Sequence, residues 1–324
     1  MSNKPKVLVT CRWPSAVEKR LVENYDVTMC DARVPISQSG FREAFSRFDA
    51  ILPTVTDKIT DEAFQLSNPT TKIVGNFGVG YSHINTDAAK AANIMVTNTP
   101  DVLSDCTADL TLTLMLMAAR RAGEGERELR QGQWRGWQPT HLLGTRMTGK
   151  TLGIIGFGRI GQEVAKRAHY GFGMKVVFYN RSAINPEITI KTNAMQVSSV
   201  DELLKRSDFV SLHCPGGDGN KHMIGREQLE LMKNDAFLIN TARGEVIDEP
   251  ALVDALKSNK IAGAGLDVFD GEPNISKEFF DCENAVLLPH LGSATRETRE
   301  AMGFRVLDNL SDFFAGREPK DRVA

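Results

Sequence analysis

The sequence predicts an α/β protein with two doubly wound parallel-sheet domains, and three observations carry that expectation. Short apolar, β-branched runs alternate with longer stretches of helical period, the pattern of parallel strands covered by helices on both faces. The runs fall into two series, separated by a long helical stretch and an irregular one. The chain has 324 residues, against about 150 for an ordinary domain, so two cores fit where one would be oversized.

The first series comprises residues 6–10, 49–52, 72–74 and 94–97. Residues 101–121 then read as one helix bridging the two series, entered after Thr99-Pro100, with Leu110, Leu114, Met117 and Ala118 on one face. Residues 130–149 mix glycine, proline and two tryptophans without a period and read as an irregular arm. The second series is 151–155, 175–179, 209–212, 236–240, 262–268 and 285–288. Within it, Ser199 and Glu202 give the signature of a capping box opening a helix over 200–205. A last helix is expected over 295–315; no strand follows it, so it should return to the first domain. That domain is then discontinuous, 1–100 with 293–324, around a second of 101–292.

With 41% hydrophobic and 25% charged residues the composition is that of a globular chain, and a net charge of -2 offers no basic surplus for nucleic acid. The start MSNKPKVLVT passes directly into a β-type run, so no export signal is read. The apolar stretch 110–119 contains Thr111 and Thr113 and falls short of the roughly 20 residues a membrane span needs. Five scattered cysteines without a C-x-x-C pair suit reduced thiols, hence a soluble, cytoplasmic protein. Six histidines without i, i+4 pairing or an H-E-x-x-H motif give no ground for a metal.

The strongest local signal is TLGIIGFGRIG, where Gly156, Gly158 and Gly161 follow an apolar strand and open a helix near Ile160. Gly156 suits a tight turn, Gly158 close approach of backbone to a pyrophosphate, and Gly161 close packing of helix on sheet. The next strand ends at Asn180-Arg181-Ser182, with no carboxylate for a ribose 2′-hydroxyl. Arg181 and Ser182 suit a 2′-phosphate, so NADPH is expected to be preferred, with NADH possible; the alternative is an ordinary solvated arginine. A second cluster, Gly75, Gly78 and Gly80 in GNFGVG, fits a nucleotide loop, a turn or an amide nest for a carboxylate, and spacing does not choose among them.

Arg243, Glu272 and His290 each follow a strand of the second series, where ligands of open α/β sheets collect. Reducing a 2-keto acid takes a cation for the carboxylate, a hydride donor and an acid for the nascent alkoxide. A guanidinium fork, an imidazole and a carboxylate to orient it supply what the cofactor lacks. Each residue alone also has a structural reading: a helix-start ion pair, a solvated turn residue and a capped core histidine.

The motifs GFGRIG, SLHCP, NTARGEVIDE, GLDVFDGEP and PHLGSAT, in this order, resemble those of the D-isomer-specific 2-hydroxyacid dehydrogenases over nearly the whole chain. The resemblance implies two Rossmann-like domains flanking a cleft, the outer one built from both chain ends, and an enzyme interconverting a small 2-keto acid and its D-2-hydroxy acid. It gives Arg243 to the substrate carboxylate and carbonyl, His290 to acid/base chemistry and Glu272 to partnering His290. Asp267 is implied at the nicotinamide carboxamide, with Thr107, Arg159, Ile160, Cys214, Pro215, Thr241, Ala242 and Gly292 along the cofactor channel. Leu52, Val79, Gly80, Trp137 and Ser293 are implied at the substrate, and the amide-nest reading of GNFGVG becomes the favoured one.

Within the family, NFGVGYSHIN, the W-x-x-W-x-P arm at Trp134 to Pro139 and the NRS segment resemble the glyoxylate/hydroxypyruvate reductase branch, which implies a homodimer with Trp137 reaching the neighbouring subunit's substrate pocket. The end at Ala324 counts against serine biosynthesis, and Glu272 disfavours formate dehydrogenase chemistry, where glutamine takes that place. GGDGN after Pro215 departs from the Leu-Thr type of relatives. Competing readings are a dehydrogenase for D-lactate, phenylpyruvate or 2-ketogluconate, and an NAD(H)-sensing corepressor-like binding protein.

Overall fold

The computed structural model describes residues 4–30 and 35–324; residues 1–3 and 31–34, inside the expected 1–100 domain, lie outside the described residues. The chain divides into two compact units, Met1–Leu103 with Ala294–Ala324, and Ser104–Ser293.

Unit 1 contains β1 (Lys6–Val9), α1 (Ser15–Asn24), β2 (Asp26–Met29), α2 (Gln38–Arg47), β3 (Ala50–Leu52), β4 (Ile73–Gly75), α3 (Thr86–Ala91) and β5 (Met95–Thr97). Among the described residues these strands form a parallel sheet in the order β2-β1-β3-β4-β5. β3 and β4 are buried throughout, as strands covered on both faces must be, and so they show in the sequence as continuous apolar runs. β2, DVTM, has no buried residue and only two apolar ones, which is why periodicity gave no sign of it.

Unit 2 contains α4 (Ser104–Ala119), α5 (Ala122–Arg130), β6 (Thr151–Ile155), α6 (Arg159–Lys166), β7 (Lys175–Tyr179), α7 (Pro186–Thr192), β8 (Ala194–Gln196), α8 (Val200–Arg206), β9 (Phe209–Leu212), α9 (Arg226–Leu231), β10 (Phe237–Asn240), α10 (Glu249–Lys257), β11 (Gly263–Leu266) and β12 (Ala285–Leu287). The described strands run parallel in the order β12-β11-β10-β9-β6-β7-β8. No helix among the described residues is long and apolar enough to cross a membrane.

The helix expected over 101–121 is shorter at both ends, because Asp101 (φ 72°) and Arg121 (φ 54°) take left-handed backbone that a helix cannot contain. Its buried side is also wider than the expected face: Thr107, Ala108, Thr111, Leu112, Leu114, Met115, Ala118 and Ala119 are covered, while Leu110 and Met117 are partly exposed. α5 buries no residue and so left no apolar stripe to read. At α8 the cap differs from the expected box: Ser199 Oγ accepts from Glu202 N, but the Glu202 carboxylate turns back to Ser198 N at 3.0 Å and Ser198 Oγ at 2.8 Å.

The last helix, α11 (Arg296–Phe314), is capped by Thr295, whose Oγ1 accepts from Thr298 N, and packs on unit 1 through Met302, Val306, Leu307 and Leu310. Glycine is required where it meets the sheet, since a Cβ on Gly75 would lie 2.8 Å from Val306 and 3.0 Å from Leu310. No strand follows this helix among the described residues, but the tail still pairs with β5. Val323 N and Val96 N exchange bonds with Val96 O and Ala324 O, and Arg322 bridges antiparallel to Thr97, so the tail covers the open edge of β5. Buried Asp321 fastens the tail, accepting from Arg305 Nε at 2.5 Å, Arg305 Nη2 at 2.7 Å and Asn309 Nδ2 at 3.0 Å. Asp321→Ala strands a largely buried guanidinium and is expected to lower stability by about 3 kcal/mol in urea unfolding. A loss below about 1 kcal/mol would show that the latch does not hold the edge.

Candidate active site

The glycine-rich turn lies between β6 and α6, and each glycine answers a different constraint. Gly156 has φ 92°, and a Cβ there would lie 2.6 Å from the backbone carbon of His213. A Cβ on Gly161 would lie 2.4 Å from Gly156 O, so only glycine lets the helix approach the strand. At Gly158, the N-cap, a Cβ would meet nothing within 4 Å. Open space over a glycine, beside the first-turn N–H groups that no helix can pair internally, fits a dinucleotide pyrophosphate.

Asn180 holds this turn, accepting from Phe157 N at 3.1 Å and donating through Nδ2 to Ser182 O at 3.0 Å. Its side chain is therefore engaged, whereas Arg181 and Ser182 stand exposed past the end of β7. Ile160 is half-buried and Arg159 exposed in the first turn of α6. Cys214 is buried and Pro215 exposed. Preceding them, His213 sits against the turn with Nε2 at 2.8 Å from Ser211 Oγ and Nδ1 without a partner among the described residues. Burial pushes this imidazole down to about 3, so it is neutral near pH 7.

Arg243, Glu272 and His290 all belong to unit 2, following β10, β11 and β12. His290 Nδ1 lies 2.8 Å from Glu272 Oε2, and Glu272 Oε1 accepts from Phe269 N at 2.8 Å. With the carboxylate as acceptor, the Nδ1 proton is assigned to that bond, and Nε2 is left without a partner among the described residues. Burial tends to raise the Glu272 carboxyl, but the His290 bond and charge, the Phe269 N–H and nearby Arg243 outweigh it and hold the group below the usual carboxylate range. Arg243 is half-buried and donates from Nη1 to Ala242 O at 2.6 Å. Burial lowers its pKa from the ordinary arginine value, while Glu245 and Glu272 pull the other way.

The backbone around the trio is tightly clasped. Gly244 abuts the Phe269–Asp270 peptide so closely that a Cβ would be 1.9 Å from Phe269 C, which draws the Arg243 bend to the Glu272 turn. Asp267 is buried, and its carboxylate accepts from Leu291 N at 2.6 Å and Gly292 N at 2.7 Å, while its carbonyl accepts from His290 N at 2.9 Å. Both of its carboxylate oxygens thus grip the loop that carries His290, which has left-handed backbone at φ 54°. Thr107 Oγ1 donates to Gly292 O at 3.0 Å, and Thr111 and Thr241 share a hydroxyl contact of 3.0 Å, tying α4 to the same loop and to the end of β10. Ala242 is buried, and its N–H is taken by Asn240 Oδ1 at 3.0 Å.

Sequence reasoning missed Glu245. It accepts from Gly217 N at 2.9 Å, and a Cβ on Gly216 would lie 2.3 Å from Glu245 Oε1 and 3.0 Å from Arg243 Cγ. The departure GGDGN therefore has a steric meaning: its first glycine is where the loop packs against the stem of Arg243.

In unit 1, Leu52 is buried at the end of β3. Val79 O accepts from Asn98 Nδ2 at 2.8 Å and Gly80 O from Asn76 Nδ2 at 3.1 Å, while the N–H groups of Val79 and Gly80 have no partner among the described residues. Two anchored carbonyls and two unclaimed amides are what an amide nest for an anion requires. Asn76 and Asn98, which set it up, went unnoticed because a buried asparagine leaves no periodic signal. Ser293 is half-buried at the last position of unit 2. Trp137 is 83% exposed and contributes nothing to the core of its own unit.

The profile described as "D-isomer specific 2-hydroxyacid dehydrogenase, NAD binding domain" matches residues 112–292. A glyoxylate reductase from Thermococcus litoralis is 45% identical over 99% of this chain and 97% of its own. A glyoxylate reductase crystal structure from Paecilomyes thermophila superposes with a TM-score of 0.86 at 34% identity, covering 100% of this chain and 99% of that one. An NADPH-dependent glyoxylate/hydroxypyruvate reductase from Sinorhizobium meliloti, solved with NADP and malonate, gives a TM-score of 0.87 at 32% identity, covering 99% and 97%.

Proposed function

Since the chain belongs to the D-isomer-specific 2-hydroxyacid dehydrogenase family and is an NAD(P)-dependent enzyme of that kind, we propose that it reduces glyoxylate or hydroxypyruvate to the hydroxy acid, with NADPH preferred. The observation that carries this reading is the 2.8 Å contact of His290 with Glu272, with Arg243 near enough to help hold that carboxyl down. A reduced nicotinamide dinucleotide, held at the turn of Gly156, Gly158 and Gly161, would supply the hydride for the carbonyl carbon. His290 gives the Nε2 proton to the carbonyl oxygen as the C–O double bond becomes an alcohol, and is then reprotonated from water. Glu272 orients the ring by accepting from Nδ1. Arg243 offers two parallel N–H groups to the substrate carboxylate and polarises the carbonyl.

Unit 2 is read as the dinucleotide-binding domain and unit 1 as the substrate-binding domain, whose Val79 and Gly80 amides suit a carboxylate. The NADPH preference rests on exposed Arg181 and Ser182 past β7, where no carboxylate stands to repel a 2′-phosphate. Arg181→Ala is expected to lower kcat/KM for NADPH about tenfold and leave that for NADH within about threefold. Equal losses with both cofactors, or an NADH preference in the parent enzyme, would reverse the assignment.

Glyoxylate, hydroxypyruvate, pyruvate, phenylpyruvate and 2-ketogluconate, each assayed with NADPH and NADH, test the substrate class, and highest kcat/KM with any of the last three would refute it. Leu129, Trp134, Trp137 and Leu143 expose apolar surface along one stretch of unit 2, which supports a homodimer in which Trp137 serves the partner's pocket. A monomer in sedimentation equilibrium would exclude that arrangement.

A further inference from the structure

The two unclaimed amides of unit 1 are aimed by the carbonyls with which they share peptides. A trans peptide is planar, with C=O and N–H pointing opposite ways, so fixing the oxygen fixes the direction of the hydrogen. The Val79 N–H belongs to the peptide whose oxygen, on Gly78, accepts from Thr99 N at 3.1 Å and Asn76 Nδ2 at 3.0 Å. The Gly80 N–H belongs to the peptide whose oxygen, on Val79, accepts from Asn98 Nδ2 at 2.8 Å. The first peptide has two donors behind it; among the described residues the second has this side chain alone.

Asn98 is in turn held from the far end of the chain. It follows β5 and is buried, with its N–H donating to Asp321 O at 3.1 Å and its carbonyl accepting from Asn309 Nδ2 at 3.3 Å. Asn309 is buried on α11. The same Nδ2 donates to Asp321 Oδ2 at 3.0 Å, which uses both of its hydrogens, and Asn309 Oδ1 accepts from Asp321 N at 3.3 Å. Asp321 is the residue that Arg305 fastens. A relay of hydrogen bonds thus runs from the tail through Asn309 and Asn98 to the Val79–Gly80 peptide, wholly inside unit 1.

We propose that Asn98 is a positioning residue for the substrate carboxylate, and that Asn309 and Asp321 hold it in register. This rests on the reading that the Val79 and Gly80 amides receive that carboxylate. Many a buried asparagine at a strand end does no more than satisfy backbone. Here the carbonyl it satisfies is the back of an amide that nothing else claims, so losing the side chain costs aim. A carboxylate carries the same charge before and during reduction of its neighbouring carbonyl, so the amides bind ground and transition states alike, and misaiming them shows in KM rather than kcat.

Steady-state kinetics of the full-length chain with the keto acid it reduces fastest, together with competition by oxalate, test this. Oxalate offers carboxylates and no reducible carbonyl, so its Ki reports binding alone. Asn98→Leu, which keeps a branched side chain and removes the donor, is expected to raise KM for the keto acid and Ki for oxalate together by about tenfold, with kcat and the KM for reduced cofactor within about threefold. Asn309→Ala leaves the Asn98–Val79 bond in place and loosens only its support, so both constants should rise by about threefold. A plain folding defect removes active enzyme, which lowers kcat and leaves KM and Ki where they were. Gly80→Pro deletes the N–H itself, at a position without the positive φ that would bar proline. Parental KM and Ki in Gly80→Pro would overturn the carboxylate reading and the proposal with it. Raised constants in Gly80→Pro beside parental ones in Asn98→Leu would overturn the proposal alone, as would an Asn98→Leu loss confined to kcat. Parental constants in Asn309→Ala would overturn the part given to the tail.

Discussion

Replacing His290 by asparagine is expected to lower kcat for glyoxylate reduction by about 10²–10⁴-fold, the range that a positioned general acid contributes. Asparagine can still meet Glu272 and keep the loop in place, but it has no proton to give at the position of Nε2. Substrate binding should change little, since the cation that receives the carboxylate is intact; a KM within about threefold of the parent is the accompanying expectation. A loss spread equally over kcat and KM would point to a collapsed loop instead, and a kcat within tenfold would remove His290 from the chemistry.

Glu272→Gln separates orientation from charge. Glutamine keeps a hydrogen-bonding oxygen beside Nδ1 but removes the negative charge, so kcat for glyoxylate should fall while KM stays within about threefold of the parent. Stability gives an independent check of sign. The Glu272 carboxyl is held below the usual range in the folded chain, so its contribution is present above the unfolded carboxyl pKa and is lost as pH falls through the lower folded one. Acidification should therefore lower Tm of the parent more than that of Glu272→Gln.

What the sequence disclosed and what it withheld divide along a physical line. Motifs in which each residue answers its own constraint were legible: Gly156, Gly158 and Gly161 meet a left-handed turn, an open approach and a helix contact in the order the spacing suggested. Strands covered on both faces announced themselves as apolar runs, with errors of one or two residues at their ends. Edge strands β2 and β8 did not, because a strand with one solvated face and three or four residues carries too little apolar signal. Polar contacts made across long sequence separations were equally invisible. The grip of Asp267 on Leu291 and Gly292, and the stay of Glu245 on the loop after Pro215, join segments that no local pattern connects. They are nevertheless what fixes the proposed catalytic side chains, since a loop with left-handed backbone at His290 is held only by what surrounds it.

Arg243→Gln is expected to lower kcat/KM for glyoxylate by about 10³-fold, roughly 4 kcal/mol of transition-state stabilisation. Of its five N–H donors, one is committed to Ala242 O at 2.6 Å, and the others are available to a carboxylate and a carbonyl oxygen. Burial makes each of those interactions stronger than it would be in water, and the same burial disfavours the charge when nothing is bound, as the lowered pKa of Arg243 records. Glutamine relieves that cost, so the variant should melt no lower than the parent while losing its activity. Arg243→Lys keeps the charge but not the planar fork, and should recover no more than about tenfold. A lysine variant close to the parent would mean that a point charge suffices and that bidentate recognition plays no part. A glutamine variant that loses both activity and several degrees of Tm would mean instead that the arginine, through its contacts with Glu245 and the glycine loop, is needed to build the site rather than to bind in it.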